Sequence, residues 1–103
     1  MQSFIEMTGY TPFTTFWQDF TIAERFGENA IKETYKRAFN EWKSDYKYLT
    51  ELVMILNWKM WHFWYLKQDK TSMIYQKLFE ESSEWALDNL KGEELSYYLE
   101  TTD

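Results

Sequence analysis

An all-α fold, drawn as a compact antiparallel bundle of three main helices with a short N-terminal helix and an aromatic N-terminal arm, is what three features of this sequence predict. Apolar residues recur at three- and four-residue spacing along most of the chain, and only three Gly and one Pro interrupt its 103 residues. The breaks between periodic stretches are a few polar residues long, which makes successive helices neighbours in space. Aromatic residues form 21% of the chain, apolar area enough for one core, and so short a chain has no surface-to-volume margin for a second.

Residues 1–20 combine turn chemistry at Thr8-Gly9-Tyr10-Thr11-Pro12 with clustered rings, Phe13, Phe16, Trp17 and Phe20, that show no clear period. They read as an arm lying across the bundle. Thr21 with Glu24 three positions on matches a reciprocal cap, so a short helix is expected over residues 21–26, stopped by Gly27. Ala30, Ile31, Tyr35, Ala38, Phe39 and Trp42 then share one stripe of a helix over residues 28–43.

Ser44 or Asp45 offers a capping oxygen to a third helix, residues 46–67. A polar break at Lys67-Gln68-Asp69-Lys70-Thr71 precedes a fourth, residues 71–91, where Ile74, Leu78 and Trp85 run beside Tyr75, Phe79, Ala86 and Leu90 until Gly92. Leu95, Tyr97, Tyr98 and Leu99 give the tail, residues 93–103, a turn or two of helix packing back.

Composition excludes several function classes. With no cysteine, disulfides, thiolate metal sites and Cys nucleophiles are out, and the cytoplasm is the expected setting. Met1 to Glu6 lacks the basic flank and apolar run of a secretory signal. Residues 52–66 are apolar but broken by Asn57, Lys59 and His62 and fall short of the ~20 residues of a membrane span, so no membrane role is expected. A net charge of −6 disfavours direct nucleic-acid binding, which needs cations to displace phosphate counterions. Up to Phe79 the chain carries nine acidic and ten basic residues; beyond it, eight acidic residues face the single Lys91.

No P-loop, dinucleotide fingerprint or nucleophile elbow is present. The one His, His62, stands between Trp61 and Phe63 and reads as a packed or interface ring. Glu80-Glu81-Ser82-Ser83-Glu84 lacks the Glu-x-x-His partner of a bundle metal site. Glu41 with Asp45 has a spacing that helix surfaces produce constantly. Lys32, Lys36, Arg37 and Lys43 sit among acids as a mixed solvated face. No catalytic residue, metal ligand or cofactor site is therefore assigned, and the expectation is a non-enzymatic protein.

Two surfaces remain. On the 46–67 helix, Leu49, Leu52, Val53, Leu56, Met60, Phe63 and Leu66 form the core stripe, while Met54, Trp58, Trp61 and Tyr65 fall on the opposite side. A helix apolar all round should be buried all round. Either the N-terminal arm covers that second face, or another chain does, most simply a second copy in a homodimer. The other surface is acidic: Glu80, Glu81, Glu84 and Asp88, continued by Glu93 and Glu94. It reads first as a solubilising face, and alternatively as a decoy that occupies the DNA-binding groove of a host defence or regulatory protein.

The runs Phe16-Trp17-Gln18-Asp19-Phe20-Thr21-Ile22-Ala23-Glu24-Arg25-Phe26-Gly27, Thr34-Tyr35-Lys36-Arg37-Ala38-Phe39, Asp45-Tyr46-Lys47-Tyr48-Leu49-Thr50-Glu51-Leu52-Val53-Met54 and Asn89-Leu90-Lys91-Gly92-Glu93-Glu94-Leu95-Ser96-Tyr97 resemble a group of small proteins encoded by mobile elements of Gram-positive bacteria. That resemblance implies a bacterial cytosol and a role in element maintenance, transfer or defence evasion, and it carries over no activity.

Overall fold

Pro12 stands at the first position of a helix, where a missing amide is no loss and its fixed φ is already helical. In the computed structural model, which describes residues 12–102, that helix is the first of five: α1 (Pro12–Glu24), α2 (Glu28–Trp42), α3 (Tyr46–Tyr65), α4 (Asp69–Asn89) and α5 (Glu93–Thr102). No strand occurs among the described residues. The three long helices are those expected. The N-terminal part differs, because the arm from residue 12 onward and the short helix of residues 21–26 are one 13-residue helix. The remainder of the arm, residues 1–11, lies outside the described residues, as does Asp103.

The rings of α1 do have a period. Phe16, Phe20 and Ala23 are buried at four- and three-residue steps, with Trp17, Thr21 and Glu24 forming the adjoining row. Thr21 is consequently not a cap. It lies inside α1, where its hydroxyl donates to the Trp17 carbonyl at 2.8 Å. Gly27 separates α1 from α2 with φ of 105°, a conformation that L side chains rarely adopt, and its carbonyl accepts from Ile31 N at 3.2 Å.

Asp45 caps α3 as expected, its Oδ1 accepting from the amides of Lys47 at 3.1 Å and Tyr48 at 3.4 Å. The far end of α3 closes two residues early. Lys67 adopts φ of 61°, its amide donates to Trp64 O at 3.0 Å, and that of Gln68 donates to Phe63 O at 2.9 Å. This is the two-bond termination usually built on Gly, here carried by Lys. Leu66, expected on the core stripe, is therefore beyond the helix and half exposed. Gly92 likewise has a different task from the one expected: α4 ends at Asn89, and Gly92, at φ of 60°, precedes α5 and accepts from Ser96 N at 3.0 Å.

α3 is the centre of the packing. Leu52, Ile55, Leu56 and Phe63 meet Phe16 and Phe20 of α1, Ile31, Tyr35 and Ala38 of α2, and Tyr75 and Leu78 of α4. Nearer its start, Leu49 and Val53 join Ala86, Leu90 and Tyr98 in a second cluster that holds α5. Phe39 and Phe79 border both. No described helix is long and apolar enough to cross a membrane.

Candidate functional site

The flank of α3 that carries Ile55 and Lys59 is covered by α1. Ile55 is fully buried, and Lys59, a residue the sequence offered only as a break in an apolar run, is 2% exposed. A buried ammonium demands partners. Lys59 Nζ lies 3.0 Å from Glu24 Oε2, donates to Thr21 Oγ1 at 2.7 Å, and sits 4.2 Å from the centre of the Trp17 ring. Tyr75 of α4 donates its hydroxyl to the same Glu24 oxygen at 2.5 Å. Burial pulls the Lys59 amine below the ordinary lysine range, with the Glu24 carboxylate opposing it. The Tyr75 phenol is pushed up by burial and then by that carboxylate.

Three helices thus meet at one carboxylate. The signal for Lys59 was present in the sequence, since it lies four residues from both Ile55 and Phe63 on the core side. Its partner, on another helix 35 positions away, was not legible. Because amine, carboxylate and phenol are committed to one another inside the packing, the arrangement fastens α1 to the α3–α4 pair.

One side of the last turns of α3 is exposed, opposite the buried Lys59 and Phe63. Trp58, Trp61, Trp64 and Tyr65 are 52%, 54%, 60% and 79% exposed, and Trp61 and Trp64 meet edge to face at 5.5 Å. Trp64 was not among the residues expected here, because it lies between the two stripes. Of those that were, Trp61 and Tyr65 stand on this exposed side. Met54 and Trp58 line a groove of about 590 Å³ between α3, α4 and α5, together with Val53, Asn57, Leu87 and Tyr98. The Tyr98 hydroxyl is hydrogen-bonded to that of Ser83 at 2.7 Å. His62 is exposed, with its ring edge-on to Phe63 at 5.1 Å.

Glu80, Glu81, Glu84 and Asp88 are exposed on α4, and Glu93 and Glu94 are exposed in the first turn of α5. The acidic surface is not one continuous ridge, because the turn at Leu90–Gly92 divides it between two helices. Among the described residues no three His, Cys, Asp or Glu side chains gather as a metal-binding group. Lys32, Lys36, Arg37 and Lys43 are exposed on α2, with Lys32 paired to Glu28 at 2.7 Å. Among the described residues, two buried side-chain polar atoms have no hydrogen-bond partner, Tyr35 Oη and Glu51 Oε2. Burial raises both groups, helped by Glu81 for Tyr35 and by Asp45 for Glu51.

Comparison with protein families, with curated proteins and with solved structures returns no match for this chain.

Proposed function

We propose that this is a non-enzymatic interaction module that meets another protein chain through the exposed side of the last turns of α3, with a second copy of itself as the simplest occupant. The observation that carries this reading is the trio Trp61, Trp64 and Tyr65, each more than half exposed, on the last turns of a helix whose core side is packed against α1, α2 and α4. Rigid aromatic side chains dominate the energetics of protein interfaces, and contiguous exposed rings mark surfaces that bind. The buried Glu24–Lys59–Tyr75 centre supports this by holding the helix firmly from behind, so that little order has to be created on binding.

The test is the mass of the full chain in solution, by sedimentation or light scattering, for wild type and a Trp61→Ala, Tyr65→Ala variant. Both positions are exposed, so the variant keeps its fold. A smaller assembly in the variant supports self-association through this face. An unchanged mass removes it and leaves the face for a different chain.

A second reading draws on the row Glu80, Glu84 and Asp88, whose carboxylates are exposed and make no ion pair among the described residues. An acidic decoy for a DNA-binding protein would use such a row, and the mobile-element setting implied by the resemblance suits one. Its test is capture of a basic host protein that is weakened by salt and lost on Glu80→Lys, Glu84→Lys and Asp88→Lys together.

A further inference from the structure

Helix α4 carries opposite charges at opposite ends of one outward stripe. Lys70, Met73, Lys77, Glu80, Glu84 and Leu87 follow one another at alternating steps of three and four residues, which keeps them on one line along a helix. All six are exposed, including the apolar Met73 at 55% and Leu87 at 50%. The basic end borders a groove of about 170 Å³ between α2 and α4, with Ile74 and Leu78 among its lining and Lys32 across it. Among the described residues the ion pairs are Lys32–Glu28 and Lys59–Glu24, so none of the stripe's charges is ion-paired there; Glu28 lines the groove with Lys70 and Lys77 and is already held by Lys32.

We propose that α4 pairs antiparallel with α4 of a second copy of this chain, about a two-fold axis crossing the helix near residues 78 and 79. Helical spacing then sets Lys77 opposite Glu80 of the partner subunit, Met73 opposite Glu84 of the partner subunit and Lys70 opposite Leu87 of the partner subunit, with Glu84 of the partner subunit one turn from Lys70 and Lys77. The arrangement is self-complementary and closed, as a two-fold interface requires. A parallel pairing would set lysines against lysines and glutamates against glutamates, so the order of charge selects the direction. The pairing uses a different face from the aromatic end of α3 and does not rest on that reading. It does have a consequence for it: each α3 ends where its α4 begins, so the pair holds two aromatic faces at opposite ends, and the module is bivalent.

Exposed ion pairs are individually weak and screened by salt, so this association is expected to be weak and salt-sensitive. The experiment is sedimentation equilibrium on the full chain carrying Trp61→Ala and Tyr65→Ala, so that any remaining association belongs to another surface. A dimer is expected at about 0.05 M NaCl, weakening at least tenfold by about 0.5 M. In that chain, Lys70→Glu with Lys77→Glu gives a monomer, as does Glu80→Lys with Glu84→Lys and Asp88→Lys. An equimolar mixture of the two recovers a one-to-one dimer. Circular dichroism melts confirm that each stays folded. The proposal is overturned if the starting chain is monomeric at low salt, if either charge variant still dimerises with itself, or if the mixture does not associate.

Discussion

Tyr75 Oη and Lys59 Nζ converge on one oxygen of Glu24, at 2.5 Å and 3.0 Å, so a single carboxylate joins α1, α3 and α4. Removing one member of such a buried pair strands the other. Glu24→Gln is expected to destabilise the protein by about 3 kcal/mol, because the Lys59 ammonium stays buried without a countercharge. Replacing both, as Glu24→Gln with Lys59→Met, is expected to recover most of that loss. Urea unfolding of the two single variants and the double variant checks it; losses that simply add would contradict the coupling.

The phenols of Tyr75, Tyr35 and Tyr98 are all raised above the ordinary tyrosine range, chiefly by burial. For an acid whose folded pKa is raised, the unfolded chain releases its proton first. The folded state then binds more protons, and stability falls as pH climbs past about 10. Absorbance of tyrosinate is expected to show these three of the eight tyrosines ionising only as helicity is lost. Smooth titration of all eight near pH 10 in a chain that stays helical would contradict this.

How much of this was legible in the sequence varies by element. The α2 stripe through Ile31, Tyr35 and Ala38 and the Asp45 cap were readable because local spacing and one side chain determine them. α1 was not, since Phe16, Phe20 and Ala23 are interleaved with Trp17 and Phe13, and a run rich in rings hides its own period. Thr21 and Glu24 looked like a cap because their spacing fits one. Their actual roles depend on Lys59 and Tyr75, 38 and 51 positions further along, which no local pattern encodes. Of the aromatic face, the residues were legible, but its division into an exposed side of the helix end and a groove shared with α5 follows from where α3 stops and how the tail folds back.

That stop at Lys67 is itself a target. Its φ of 61° is left-handed, which an L side chain tolerates at a cost of about 1 kcal/mol and Gly adopts freely. Lys67→Gly is expected to leave the two terminating hydrogen bonds in place and to stabilise the protein by a few tenths to about 1 kcal/mol, less whatever Gly adds to the entropy of the unfolded chain. The contrasting change is Gly27→Ala, where φ is 105° and no atom stands within 4 Å of an added Cβ. Space is available there and the backbone is the only obstacle, so a loss of about 1 kcal/mol or more is expected from backbone strain alone. Thermal melts of both variants give the comparison.

Glu51 supplies the last test, because its carboxylate is held in the wrong place for a charge. Oε2 is buried without a hydrogen-bond partner, and burial, then the nearby Asp45, raises its pKa above the ordinary carboxylate value of 4.5. A carboxyl with a raised folded pKa binds its proton more tightly in the folded state than in the unfolded chain. Its unfavourable contribution is absent below the ordinary carboxylate value of 4.5, grows as pH rises from there towards the folded pKa, and is constant above it. Glu51→Gln removes the charge while keeping the shape, so the variant is expected to melt higher than wild type at pH 7 and at the same temperature below pH 4. Glu51 is partly open to solvent, which screens the effect, so the gain is expected to stay under about 1 kcal/mol. A variant that melts lower than wild type at pH 7 would mean that the carboxylate has a stabilising partner after all.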